Sequence, residues 1–274
     1  GGYLASFDHD GFTWQYGGGS SNEWWNESGK NYIAWCWKAG GAAVSNNDGN
    51  NTSQVSANTE AGFSILTYTG NGTNNSNVTM GHGLGKTPAW VIIKNRSSAA
   101  EWVTWVRGIG GSADNNQKNL GLNTNNAASQ NSDQFRVADA TTIQVRSTDS
   151  TNGKVNKNGE NYVAYCWAEI PGYSKFGLYK GTGNADGKFQ FTGFRPALVI
   201  CKAVSSGGSS SYDWLLIDST RETANSMFRR LLPNKADTET TDTTTTAYID
   251  FYAHGFKIRG TGSLINNNNV NYVY

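Results

Sequence analysis

One seven-residue string occurs twice in this chain and begins a third time. It reads NYIAWCW at 31–37, NYVAYCW at 161–167 and NYVY at 271–274. Other strings return at a similar spacing, since TYTGNG at 67–72 is followed by LYKGTG at 178–183. The spacing is close to that of one whole domain, about 100 to 150 residues, and is too long for a solenoid or propeller repeat. The sequence therefore predicts duplicated domains, and function should lie where the copies differ.

Short strand patterns dominate the chain. These runs are rich in β-branched and aromatic residues and are bounded by Gly, Asn, Asp or Ser. They lie at 32–37, 63–68, 90–94, 102–106, 162–167, 189–191, 198–201, 214–217 and 256–258. Their even spacing predicts an all-β fold of tandem antiparallel β-sandwich modules, of the jelly-roll or lectin-like kind, because a parallel sheet would need crossover helices.

One helix is predicted within this all-β chain, at residues 219–232. Ser219 and Glu222 have the spacing of a capping box, and the apolar residues that follow share one helical face before Pro233.

The repeat also sets the predicted domain boundaries. Residues 1–38 correspond to the C-terminal part of a first module, and residues 61–170 and 171–274 to two β-sandwich modules. Residues 39–60 are rich in Ala, Gly, Asn and Ser and are predicted to form a linker. The residues predicted to occupy equivalent buried positions of one strand are Tyr32, Tyr162 and Tyr272, together with Cys36 and Cys166.

The charge of the chain excludes two classes of partner. The formal net charge is +1 and only 16% of the residues are charged, so the sequence has no electrostatic footprint for nucleic acid. No run of 18 apolar residues is present, so membrane insertion is not expected either. Ten Trp, thirteen Tyr and eleven Phe supply the buried area that disordered chains lack.

The three cysteines do not predict a disulfide or a metal site. Cys36 and Cys166 occupy the same repeat position, and Cys201 replaces Ile93 of the other copy, so all three are interpreted as small core residues. Their spacing fits no zinc motif. The DHDG string at residues 8–11 resembles the start of a calcium loop, but no acidic residue closes it, and a surface turn is expected. We therefore expect no metal and no cofactor.

No catalytic residues are predicted. His9, His82 and His254 each lie beside Gly, and none accompanies a nucleophile motif. A glycosidase needs two carboxylates in one cleft, and the sequence does not place its acidic candidates together. Those candidates are Glu169, Asp213 and Asp218, of which Asp213 matches Glu101 of the other copy. The chain is therefore expected not to be an enzyme.

An aromatic loop provides the one candidate binding site. Trp14, Tyr16 and Trp24 lie with Asn22 and Glu23 in a Gly- and Ser-rich stretch that the other copies lack. Aromatic rings stack on sugar rings, while amides and carboxylates bond sugar hydroxyls, so these residues form a candidate glycan site. The alternative is that the rings pack within the module or against a neighbouring subunit.

The repeated strings also carry a family resemblance. SFDHDGFT, NYIAWCWKAGGAAVSNNDG, GHGLGKTPAWVIIKN and FTGFRPALVICK resemble a repeated β-rich C-terminal domain of fibre and appendage proteins in tailed-phage virions, many from marine phages. The chain departs from that pattern at Trp24 and Trp25 and in the Thr-rich loop 238–246.

This resemblance implies a structural protein on the virion surface, in a tail fibre, a spike or a capsid appendage. It implies other virion proteins and a host-surface glycan or receptor as partners, and it transfers no active site. The alternatives are a polysaccharide-degrading enzyme on a β-sandwich scaffold and a pure assembly or decoration module. Since the first module starts at its last strands, we expect a longer natural chain that assembles as a homo-oligomer, a trimer by analogy with phage fibres.

Overall fold

The chain folds into antiparallel β-structure. The computed structural model describes residues 2–15, 26–73, 77–110, 118–129, 134–146, 153–205, 212–241 and 246–274. The chain forms two compact units, Gly1–Trp37 and Lys38–Tyr274. Every strand pair in the described ranges is antiparallel, and no helix occurs in them. The predicted all-β class is confirmed.

The first unit contains a hairpin of β1 (Tyr3–Phe7) and β2 (Phe12–Gln15), in which Phe7 lies opposite Phe12. The carboxylate of Asp8 accepts hydrogen bonds from the hydroxyls of Thr13 and Ser6, at 2.7 and 2.8 Å. These two bonds lower the pKa of Asp8, the Thr13 bond having the larger effect. The carboxylate is thus used to hold an exposed turn, as the sequence predicted.

The second unit opens with a sandwich of two sheets. Its strands are β3 (Val44–Asn46), β4 (Ser53–Asn58), β5 (Phe63–Thr69), β6 (Asn77–Gly81), β7 (Trp90–Asn95), β8 (Val103–Val106), β9 (Leu120–Gly121), β10 (Gln134–Ala138), β11 (Thr142–Arg146) and β12 (Asn161–Trp167). In the described residues the sheets have the orders β3-β4-β5-β12-β7-β8-β9 and β10-β11-β6. Their inner faces share one hydrophobic core, in which Trp105 of the larger sheet lies 4.8 Å from Phe135 of the smaller one.

A second sandwich follows in the same unit. Its strands are β13 (Leu178–Lys180), β14 (Phe189–Phe191), β15 (Leu198–Ala203), β16 (Leu215–Asp218), β17 (Arg229–Arg230), β18 (Thr240–Thr241), β19 (Ile249–Tyr252), β20 (Gly255–Ile258) and β21 (Asn271–Val273). The described sheets have the orders β13-β21-β15-β16, β14-β20-β19 and β17-β18. Leu215 and Ile217 of the first sheet and Phe251 and Phe256 of the second line a common core.

Trp214 joins the two sandwiches. It is fully buried, its ring lies 5.8 Å from that of Trp90, and its indole N–H donates to the Gly121 carbonyl at 2.9 Å. A large apolar ring whose one polar atom is satisfied is a strong packing element. The two sandwiches are therefore packed against each other through a continuous apolar contact.

Lys202 makes a second, polar link between the sandwiches. Its ammonium group is buried and donates to the carbonyls of Asn126 at 3.0 Å and Asn125 at 3.3 Å in the first sandwich. It also donates to its neighbour Ala203 O at 2.9 Å. Burial lowers the pKa of Lys202 to about 8, and Asp213 partly opposes this effect.

A stacked tyrosine pair lies in the first sandwich. The rings of Tyr68 and Tyr162 are 5.0 Å apart and nearly parallel. The Tyr68 hydroxyl donates to Val155 O at 2.7 Å, and the Tyr162 hydroxyl accepts from the Lys157 backbone N–H at 2.9 Å. These bonds attach the start of β12 to the turn before it.

The second sandwich repeats these contacts. Tyr179 and Tyr272 stack at 5.0 Å, Tyr179 donates to Ile265 O at 2.7 Å, and Tyr272 accepts from the Asn267 N–H at 2.8 Å. Tyr162, Tyr272 and Cys166 are all fully buried or nearly so, as the sequence predicted. The duplication of whole modules stays a prediction.

The predicted strand at 32–37 is wrong. The Tyr32 hydroxyl does accept the Glu27 N–H at 3.0 Å, as its counterparts do, but residues 32–37 form no strand, and Tyr32 and Cys36 are exposed. In contrast, β12 lies between β5 and β7, which hydrogen-bond both of its edges. In the described part of the first unit the strands are β1 and β2, which pair with each other.

The predicted linker at 39–60 is also wrong. It contains β3 and β4, and β4 pairs along its length with β5. Ser53 and Val55 are buried, and the Ser53 hydroxyl donates to Gly81 O at 2.7 Å. The inward positions hold the short side chains of Ser53, Val55 and Ala57, so the composition concealed a strand.

The predicted helix at 219–232 does not form. The Asp218 carboxylate instead accepts the N–H groups of Thr220 and Arg221, at 3.1 and 3.0 Å. Further on, Met227 N–H donates to Ile249 O, and Leu231 exchanges two backbone bonds with Leu216. Pairing with neighbouring strands outweighs a local helix preference of a few tenths of a kcal/mol per residue (about 0 to 0.7).

We predict that Trp214→Ala lowers the free energy of unfolding by about 3 to 5 kcal/mol, because the ring is buried on all sides. Trp102, its repeat counterpart, is only half-buried, with the Lys94 ammonium 5.9 Å from its ring centre. Trp102→Ala should therefore lower the free energy of unfolding by a clearly smaller amount. Denaturant unfolding of both variants checks this, and equal losses would contradict the burial argument.

We also predict that Tyr68→Phe and Tyr179→Phe destabilise the protein by similar amounts, about 1 to 3 kcal/mol each. Each change leaves a buried carbonyl, Val155 O or Ile265 O, without its donor. Tyr173→Phe, at an exposed position, serves as the control. Chemical unfolding monitored by tryptophan fluorescence measures all three, and an effect at only one of the buried sites would count against their equivalence.

Candidate functional site

Of the residues in the glycan site that the sequence predicts, the structure describes one. Trp14 lies on β2, is half-buried and contacts Phe12 edge-to-face at 5.5 Å. Tyr16, Asn22, Glu23 and Trp24 lie outside the described residues. A glycan site at this loop therefore stays a prediction.

His82 has a structural role. Its Nδ1 accepts the Leu84 N–H at 3.2 Å, so the proton is on Nε2, which donates to Asp139 O at 3.2 Å. Burial lowers the pKa of the imidazole, and the Asp139 carbonyl partly opposes this. His9 and His254 are exposed. The ring is thus a neutral core group with both nitrogens occupied.

The acidic candidates from the sequence are each ion-paired. The pairs are Glu101 with Lys154 at 2.7 Å, Glu169 with Lys175 at 3.0 Å, Asp213 with Lys235 at 2.9 Å, and Asp218 with Arg221 at 2.6 Å. Paired carboxylates of this kind hold loops together. In the described part of the chain, no group of three or more His, Cys, Asp or Glu side chains is arranged to hold a metal ion.

The most distinctive surface lies on the second sandwich, on the outer face of the β14-β20-β19 sheet. In this sheet Phe189 pairs with Lys257, and Lys257 with Asp250, so these three side chains share one face. Phe191 and Tyr252 flank Gly255 on the same face. The opposite face carries buried core residues such as Phe256.

Three aromatic side chains of this face are exposed, and we call them the aromatic patch. Phe189, Phe191 and Tyr252 are 45%, 67% and 39% exposed. The rings of Phe189 and Tyr252 lie 6.0 Å apart in an edge-to-face arrangement. Single exposed apolar residues are ordinary, but a contiguous group indicates a contact surface.

Gly255 allows the patch to form. A Cβ atom at this position would lie 2.0 Å from Gln190 O and 2.7 Å from the Phe189 ring. Any larger residue would therefore push β14 and the Phe189 ring away. The glycine lets the two strands approach and leaves a flat floor between Phe191 and Tyr252.

A charged cluster borders the patch. Arg259 donates from Nε to Asp250 at 2.7 Å, from Nη1 to Asp186 at 3.1 Å and from Nη2 to the Tyr252 hydroxyl at 3.0 Å. Lys257 Nζ lies 2.6 Å from Asp186. We call Asp186, Asp250, Lys257 and Arg259 the charged cluster; it contains two cations and two anions.

Contacts within the cluster shift the pKa values of Asp186 and Arg259. The hydrogen bond from Lys257, and secondarily its charge, lower the pKa of Asp186. The bond to Asp250 raises the pKa of Arg259. Asp250 is only 7% exposed, and its Oδ1 atom is buried without a hydrogen-bond partner among the described residues. A shallow hollow of about 440 Å³ is lined by Ala185, Asp186, Ser226, Tyr248, Asp250 and Arg259.

Among the described residues of the first sandwich, the small sheet carries no equivalent patch. Counting from the hairpin turn of each small sheet, Thr79 and Gly81 of β6 stand where Phe189 and Phe191 stand in β14. There the neighbouring loop also covers the strand, because Asn50 accepts from Thr79 N–H at 2.9 Å and donates to Asn77 O at 3.0 Å. The patch is therefore a difference between the small sheets of the two sandwiches.

The sequence did not predict this site. Phe189 and Phe191 were assigned to a strand, and a Phe-Gln-Phe alternation ordinarily places the rings inward and the Gln outward. The structure reverses this, because Gln190 pairs with Phe256 on the core side. The sequence signal that could have revealed the site is the pair Phe189 and Phe191, which stand where β6 has Thr79 and Gly81.

Comparison with known proteins gives one finding. A family model described as "Domain of unknown function (DUF7483)" matches residues 1–274. No curated protein matches the chain, and no solved structure does. Over its described residues the chain shows no helix of the length and apolar character that crossing a membrane requires.

We predict that His82 makes the stability depend on pH. Burial lowers its folded pKa, so below the unfolded value of about 6.5 the unfolded chain binds more protons than the folded one. The free energy of unfolding should therefore fall as pH drops from about 7.5 to about 5. His82→Gln should flatten this slope, whereas the exposed control His9→Gln should not; identical slopes in all three proteins would refute the assignment.

Proposed function

We propose that this chain, which belongs to the DUF7483 family of domains of unknown function, is a structural protein of a tailed-phage virion that attaches to glycan on the host surface. It would form part of a tail fibre, a spike or a capsid appendage. The aromatic patch and its charged cluster are the proposed contact with the glycan.

The exposure of the aromatic patch is the observation that carries this proposal. Phe189, Phe191 and Tyr252 present apolar rings to solvent from a three-stranded sheet. Apolar ring surfaces stack on the C–H faces of pyranose sugars. The guanidinium and carboxylates of the charged cluster lie beside them and can bond sugar hydroxyls.

The virion setting has separate support. It comes from the resemblance of the repeated strings to fibre and appendage domains of tailed phages. Under this proposal the partners are other virion proteins and a host glycan or receptor, and the chain acts as a homo-oligomer, with a trimer favoured.

The charge arrangement favours attachment over hydrolysis at this patch. A glycosidase needs a carboxylic acid whose pKa is raised so that it can donate a proton. Asp186 has its pKa lowered by Lys257, and Arg259 holds Asp186 and Asp250 at once. The Asp186 carboxylate is therefore suited to accept hydrogen bonds from hydroxyls and unsuited to protonate a leaving group.

We predict that Phe191→Ala and Tyr252→Ala each weaken glycan binding by about tenfold, corresponding to about 1.4 kcal/mol. Tyr173→Ala, an exposed aromatic outside the patch, is the matched control. Binding is measured by calorimetry against a panel of purified bacterial capsular polysaccharides and lipopolysaccharides, with thermal melts to check folding. Absence of binding to the whole panel, or the same loss in Tyr173→Ala, would contradict the proposal.

A further inference from the structure

We infer that Asp186 and Asp250 make the aromatic patch select uncharged glycans over acidic ones, and that Asp186 is the specificity-determining residue. This inference rests on the proposed function and concerns the class of glycan that the same site accepts.

The first reason is that both cations of the cluster already have anionic partners. Lys257 contacts Asp186 at 2.6 Å, and Arg259 contacts Asp186 at 3.1 Å and Asp250 at 2.7 Å. The carboxylate of a uronic or sialic acid would have to displace Asp186 to reach either cation. A sugar hydroxyl needs no such displacement, because it can donate to a carboxylate that stays in place.

The second reason is that one negative charge is fixed. Asp250 is buried, and its Oδ2 is held by Arg259. Asp250 also lines the hollow, so its negative charge stays fixed at the wall of the site. A fixed negative charge repels a ligand carboxylate and does not repel an uncharged hydroxyl.

Asp186 differs from Asp250 in its exposure. It lies at the rim of the hollow and is largely solvent-exposed, and its contacts are those to Lys257 and Arg259. Its removal leaves the sheet and the Asp250–Arg259 pair intact. In Asp186→Asn, two cations would face one carboxylate, so the cluster would become net positive and would accept an acidic sugar.

A matched pair of ligands tests this inference. Uronate-containing capsular polysaccharides are compared before and after carboxyl reduction, which converts each uronic acid to the neutral hexose and keeps the linkages. We expect the natural chain to bind the reduced forms at least about tenfold more tightly. In Asp186→Asn the ratio of the affinities for reduced and acidic forms should fall to about a third of its natural value or less. The main cause should be tighter binding of the acidic forms.

Asp237→Asn is the control for net charge. This variant removes one negative charge at an exposed position outside the cluster. Its preference for reduced over native polysaccharides should equal that of the natural chain. Equal binding of native and reduced polysaccharides by the natural chain would overturn the inference and leave the proposed function standing. A preference unchanged in Asp186→Asn would overturn the role of Asp186, and no binding to any neutral or acidic polysaccharide would overturn the proposed function itself.

Discussion

Each sandwich depends on a tyrosine hydroxyl that must be hydrogen-bonded in a place where water is excluded. Tyr162 and Tyr272 begin the central strands β12 and β21, with their rings in the core and their hydroxyls at the turn before the strand. A buried hydroxyl without partners costs about 1 to 3 kcal/mol. The backbone N–H groups of Lys157 and Asn267 meet this need, which fixes the turn, the entry of the strand and its register.

That central strand in turn positions the rest of the larger sheet. In the first sandwich β12 exchanges hydrogen bonds with β5 on one side and β7 on the other, so its register determines theirs. The small three-stranded sheets then cover the inner face and complete the core. Once the inner face is closed, the outer faces of the two small sheets differ. In the first sandwich the Asn50 loop holds the edge strand β6, and in the second the aromatic patch and charged cluster occupy the corresponding surface.

The aromatic patch combines features that oppose each other energetically. Complete burial of a Phe side chain contributes roughly 1.5 to 3 kcal/mol, and the partly exposed Phe189 and Phe191 each forgo a share of that. The charged cluster places two cations and two anions beside the rings. The close approach of β14 and β20 at Gly255 holds the Phe189 ring beside that position.

The sequence by itself determined the all-β class, most of the strands and the buried places of Tyr162, Tyr272 and Cys166. These follow from local turn chemistry and from apolar residues that recur in both copies. It could not determine that 53–58 pairs as a strand, that 32–37 and 219–232 do not form their predicted elements, or that Phe189 and Phe191 face solvent. Each of these depends on which backbone edge lies alongside. A strand exists only where a neighbour supplies its hydrogen bonds, and which of its two faces is exposed depends on the register of that neighbour.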